Sequence, residues 1–154
     1  MRRSPLAWLG VLALALACER TPPPPSVEPA PPRARVTIGV HVVDAELADT
    51  PARKQRGLSG RASLPDGQGM LFRYDEPGIQ GFWMPDMHFD IDIVWIRAGR
   101  IVHVEPDVPH AVAGSLPVYR PSEPADLVLE VAAGTARRLG WRVGDAVQVE
   151  RAAR

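Results

Sequence analysis

Three features of the chain predict a mainly β domain of the α+β class, a small barrel-like or sandwich fold with one or two short helices. From Arg35 onward, short runs rich in β-branched residues recur, as in "RVTIGVHVVDAELA", "IVHVE" and "DLVLEV". Turn chemistry separates them in "SLPDGQG", "DEPG" and "RAGR". Helical signals are confined to two brief stretches, each stopped by glycine, and no internal repeat is present. Strands must therefore supply most of the core.

Taken in order, residues 35–48 read as one long strand or two short ones. Thr50 can then cap a helix that has Pro51 at its first position and Gly57 at its end. "MLFRY" is a brief strand, and "GFWM" leads into "HFDIDIVWI", which alternates polar and apolar residues. "RAGR" closes a hairpin into "IVHVE". A stretch with five prolines, "PDVPHAVAGSLPVYRPSEPA", follows without periodicity, and a loop that long is usually functional or disordered. "DLVLEV" returns to strand, "AGTARRLG" to a short helix ended by Gly140, and "VGDAVQVE" to a last strand.

The N-terminus is expected to stand apart from this fold. "MRRSPLAWLGVLALALAC" begins with two arginines, continues as an apolar run too short to span a bilayer comfortably, and ends in the chain's single cysteine. It reads as an export signal over residues 1–17 with Cys18 as the lipid acceptor. Lipidation accounts for a lone thiol in an exported protein, where no disulfide partner exists. Residues 18–34 are rich in proline and read as an extended spacer of roughly 3 Å per residue. Residues 35–150 form the domain, and 151–154 a tail. The expected location is the bacterial envelope, anchored at the cell or outer membrane, with the membrane and an unidentified small ligand or envelope protein as partners.

Charge argues against nucleic acid. The 154 residues carry 18 basic and 18 acidic side chains, and removing residues 1–17 takes away two arginines and no acid, leaving 16 − 18 = −2. Arg53, Lys54, Arg56 and Arg61 make the one basic cluster, and such a run reads as a solvated face.

In "HFDIDIVWI", a strand would put His88, Asp90 and Asp92 on one side and Phe89, Ile91, Ile93 and Trp95 on the other. A two-residue loop at Ala98 and Gly99 would bring His103 opposite Val94 and Glu105 opposite Asp92, adding both to the polar side. A three-residue loop with a bulge at Gly99 would move them to the opposite face. Three readings follow: a solvated face, a metal site of His88, Asp90, Asp92, His103 and Glu105, or a polar ligand pocket. In "GFWM", Trp83 would point away from Phe82 and Met84, either into a second core or into a ligand site. Nucleophilic catalysis has little support: "GLSGR" around Ser59 misses the G-x-S-x-G spacing, and Cys18 lies far from the domain. No cofactor is indicated.

Seven segments in order, "ADTPARKQRGLSGR", "GQGMLF", "GFWM", "DIDIVWI", "GRIVHVE", "LVLEVAAGTARRLG" and "VGDAV", resemble the domain of unknown function 192 family over roughly Val36 to Val149. The resemblance implies a compact, mainly β domain, often behind a signal peptide, with no established activity. The family pattern falls on Arg56, Gly57, Leu58, Gly69, Met70, Phe82, Trp83, Met84, Asp92, Glu130, Gly134, Gly144 and Asp145. His88 and Asp90 depart from it, which weakens the metal reading. The chain is thus expected to be an envelope-anchored binding or accessory module with Arg56, Trp83, Met84 and Asp92 at its ligand site. The alternative is a hydrolase-type enzyme using Asp92 and Glu105, with or without metal.

Overall fold

The computed structural model describes residues 30–110 and 116–151; the signal, Cys18 and most of the spacer lie outside them. The first β-branched run divides into two antiparallel strands, β1 (Arg33–Ile38) and β2 (His41–Ala48). Gly39 makes the break at φ 61°, a conformation that costs a residue bearing a Cβ roughly 1–2 kcal/mol. α1 (Pro51–Arg56) begins as its sequence predicts, with the Thr50 hydroxyl accepting from the Arg53 N–H at 3.3 Å and Gly57 closing the helix. β3 (Gln68–Gly78) lies parallel to β2, so α1 and the turn after it form a crossover between them.

The remaining elements are β4 (Ile91–Arg97), β5 (Arg100–Val108), β6 (Ala125–Ala132), α2 (Thr135–Leu139) and β7 (Val147–Arg151). The sheet runs β5-β4-β6-β3-β2-β1-β7. It curls until its two edges meet: Arg100 bridges Ala146, Ile101 donates to the Asp145 carbonyl at 3.0 Å, and Gly144 donates to that of Ile101 at 2.8 Å. The result is a half-barrel with two short helices, the fold class the sequence predicts.

Hydrophobic clusters cover both faces of the sheet around β4, while β1, β2 and β7 turn alternate residues to solvent. One core gathers Val36, Val43, Leu71, Val94, Ile96 and Leu129 with Trp141. The other gathers Phe72, Ile91, Ile93 and Trp95 under Leu58, Leu64, Phe82, Met84 and Met87. β4, which lies between β5 and β6, is therefore buried at every position from Ile91 to Ile96. That corrects the solvated-face reading of its polar row, since no face of β4 meets water.

The hairpin corrects the metal reading. Ala98 and Gly99, at φ 48° and 73°, make the expected two-residue loop, and Ile96 faces Ile101. Val102 then bulges, so Trp95 faces His103, and Ile93 faces Glu105. Residues opposite one another in a ladder share a face, which sets His103 and Glu105 with Trp95 and Ile93, away from Asp92. His88 and Asp90 precede the strand altogether. Among the described residues, no group of three or more His, Cys, Asp or Glu is placed to hold a metal ion.

Candidate functional site

The four residues expected at a ligand site go to four different places. Asp92 is fully buried and saturated by backbone donors: Oδ1 accepts from Asp107 N at 2.9 Å and Gly134 N at 3.0 Å, and Oδ2 from Ala136 N at 2.7 Å. Gly134 is the cap residue of α2 and has no side chain to offer, so β4 supplies the missing acceptor. The same carboxylate pins the second irregularity of β5, where Asp107 adopts φ 55° and its own carboxylate pairs with Arg137. Asp92 is thus a clamp between strand and helix, with no lone pair turned to solvent.

Met84 is buried in the second core beside Phe82, while Trp83 between them is 56% exposed. Phe82 sits edge-on to Phe72 at 4.8 Å and to Trp95 at 6.0 Å, and exchanges backbone hydrogen bonds with Tyr119 at 2.9 and 2.8 Å. The alternation read in "GFWM" is present, but the outward residue meets solvent. The histidines are dispersed: His103 stacks edge-on to Trp95 at 5.3 Å, His88 lies 3.8 Å from Asp86, and His110 contacts Asp90 at 2.6 Å. Asp90 is held below the usual carboxylate range chiefly by its hydrogen bond from the His110 side chain.

Arg56 leads to a cleft. It and Arg53 stand on α1, followed by Gly57, and these line a hollow of about 140 Å³ together with Arg61, Pro31, Met70 and residues 46–48 of β2. Arg61 reaches Glu46 with two hydrogen bonds, 2.8 and 2.6 Å, a fork that fixes the guanidinium plane. That fork, more than any other contact, holds the Glu46 carboxyl below its ordinary range. Arg53 pairs with Asp49 at 3.3 Å. Three guanidinium groups and one carboxylate line the cleft, with Arg61 paired to Glu46 inside it and Arg53 to Asp49 at its edge.

One strand further along the sheet, Met70 of the cleft floor pairs with Glu130 of β6. Glu130 is 5% exposed, and its Oε2 has no hydrogen-bond partner. Burial pushes its carboxyl up to about 8, against the opposing pull of Arg61. Tyr74 is pushed up to about 12 by burial and, secondarily, by Glu130, and Lys54 sits 4.4 Å from the centre of its ring. Arg53, Arg61 and Glu46 were not singled out from the sequence as site residues. Glu46 and Arg61 are 15 residues apart, and nothing local in either segment announces the pair.

A wider depression of about 690 Å³ lies over β1, β2 and β7, but it is lined by exposed groups such as Arg33 and Asp44 that pair with each other at 2.8 Å.

Comparison with known proteins places the chain without supplying an activity. Residues 34–149 match the model of the family DUF192, described as Uncharacterized ACR. A protein of unknown function from Novosphingobium aromaticivorans, with a crystal structure at 1.22 Å, is 31% identical at a TM-score of 0.67, covering 75% of this chain and 83% of that one. A protein from Sinorhizobium meliloti, provisionally named a transcription regulator, is also 31% identical at a TM-score of 0.67, covering 77% of this chain and 92% of its own. No curated protein matches. With the family pattern running through β1 to β7 and relatives sharing the half-barrel, the chain belongs to the DUF192 family.

Proposed function

We propose that this domain is a binding module whose cleft takes a small oxyanion or the carboxylate end of a longer molecule, held by Arg56 with Arg53 and Arg61 around it. The observation that carries this reading is the convergence of three guanidinium side chains, Arg53, Arg56 and Arg61, on one recess between β2 and a capped helix. Guanidinium groups recognise carboxylates through paired N–H donors, and partial enclosure strengthens each contact. The volume falls below the roughly 300–1,000 Å³ of pockets for drug-sized molecules, which favours a small ligand. Trp83, Met84 and Asp92 lie outside the cleft lining, so Arg56 is the member of the expected set retained here.

The hydrolase alternative loses its geometric basis. Asp92 and Glu105 face opposite sides of the sheet, and the Asp92 oxygens are taken by backbone donors. Binding without turnover is therefore the leading reading.

We further propose that the module is held at the envelope by lipid on Cys18, with the proline-rich residues up to 30 as spacer, since Pro31 lines the cleft and Arg33 and Ala34, assigned to the spacer from the sequence, belong to β1. An acyl chain contributes roughly 0.8 kcal/mol per buried methylene, and stable anchoring needs two chains or one plus a basic patch.

Calorimetric titration of the full-length protein with oxalate tests the cleft. Saturable binding is expected, weakened at least tenfold in Arg56→Ala. Equal binding in the variant, or none in the wild type, would reject it. Fractionation of cells producing Cys18→Ser tests the anchor, with release from the membrane fraction as the expected outcome.

A further inference from the structure

Glu130 is a buried acid that the fold does not use. It shares a face with Met70 on one side and Ile93 on the other, in the middle of the second core. Buried polar atoms without partners are rare in folded proteins, because each forfeits its solvation for nothing in return. Here an unpartnered carboxylate oxygen sits one strand from a cationic cleft, and the charge acting on it is Arg61, a cleft wall.

The groups around Glu130 can be named element by element. The turn after α1 offers Arg61, forked to Glu46 of β2. β3 offers Tyr74, with Lys54 of α1 over its ring. β4 offers apolar Ile93, and beyond it stands Glu105 of β5, 3.6 Å from His103. Asp126 lies on the same side of β6, with its own Oδ1 buried and unpartnered.

Resting on the oxyanion reading of the cleft, we infer that ligand and proton bind together: an oxyanion entering beside Arg61 is accompanied by a proton on the carboxyl of Glu130. The positive field of Arg61 is what favours the ionised form of Glu130. An anion in the cleft adds a negative potential that opposes this field, so Glu130 holds its proton more tightly. By linkage, protonated Glu130 makes the cleft bind the anion more tightly, by the same factor. The ligand class follows: an anion that stays ionised while the protein supplies the proton site, as a carboxylate does.

The sign of the pH dependence is fixed. Burial leaves Glu130 already protonated near pH 6.5, so binding there takes up no proton and affinity is flat. As pH rises through about 8, the empty protein loses the proton and binding must restore it, so affinity falls, by at most tenfold per pH unit.

Oxalate is a suitable probe, because it is fully ionised across this range. Full-length protein is titrated with oxalate at pH 6.5 and 9 in two buffers of different ionisation enthalpy, which gives the protons taken up per ligand. The expected result is close to none at pH 6.5 and between one half and one at pH 9 for the wild type. Glu130→Gln should show none at either pH, and its affinity at pH 9 should match that at pH 6.5. Equal proton uptake in wild type and Glu130→Gln overturns the inference while leaving the cleft intact. Absence of oxalate binding at pH 6.5 overturns the cleft reading and this inference with it. Should Glu130→Gln fail to fold, the Glu130 carboxyl-carbon NMR shift decides the matter in the wild type. Titration near pH 8, moving upward with saturating oxalate, supports coupling, and a value unmoved by oxalate overturns it.

Discussion

At the scale of single residues, the Asp92 carboxylate gathers three backbone N–H groups from two separate segments, and removing it strands those donors in the core. Asp92→Ala should lower stability by about 3 kcal/mol or more, and Asp92→Asn by roughly 2, since charged acceptors are worth more than neutral ones. Urea unfolding followed by tryptophan fluorescence measures both, and a loss under about 1 kcal/mol for the alanine would contradict the clamp. Phe82 and Trp83 make a second contrast, one residue apart. Phe82→Ala should destabilise by roughly 3–5 kcal/mol, while Trp83→Ala should stay within about 0.5. Alternation in "GFWM" made their opposite directions legible, but not which side would be covered. Asp92 was equally conspicuous, yet its partners come 15, 42 and 44 residues later, so a structural role and a ligand role look alike in the sequence.

Elements were read well where their signals are local. Thr50, Pro51 and Gly57 bound α1 because capping is decided within a few residues, whereas the two-residue loop at Ala98 and Gly99 stood beside a bulged three-residue one, because an alanine does not announce the φ of 48° it adopts there. The pairing beyond that loop was not legible, because the bulge at Val102 leaves no mark in composition and shifts everything after it by one position. The cleft was illegible for a related reason: it needs α1 and the turn after it laid across β2, a crossover that only the parallel pairing with β3 creates. Close packing from β6 and β2 also explains the glycine at the second position of β3. A Cβ at Gly69 would lie 2.7 Å from the Glu130 carbonyl oxygen and 3.0 Å from Val43, and backbone in a central ladder cannot retreat. Gly69→Ala should therefore lose about 2 kcal/mol through overpacking. Gly67→Ala, at φ 74° with nothing within 4 Å, isolates backbone strain and should lose roughly 1. Thermal unfolding of the pair separates the two causes, and equal losses would argue against the clash.

At the scale of the molecule, Glu130 shapes how stability responds to pH. Its carboxyl holds a proton up to about 8 in the fold and up to about 4.5 when unfolded. Between those values unfolding releases a proton, so its contribution is complete below about 4.5 and is lost as pH rises toward 8. The loss is on the order of several kcal/mol. Glu46 acts in the opposite sense: its depressed carboxyl contributes above 4.5 and is lost as pH falls through its folded value. Stability should peak in mildly acidic solution, and Glu130→Gln should flatten the decline between pH 5 and 8 in urea midpoints. A wild-type profile already flat there would place Glu130 in an ordinary environment. The strand order escaped the sequence because it reports strands, not neighbours: β7 returns to β1, and β6 inserts between β3 and β4. In that return Ala34 pairs with Arg151, joining nearly the two ends of the described chain. Contacts of such high order form late, since the closure entropy falls due before they give anything back. The chain must therefore be made through Arg151 before the half-barrel can close.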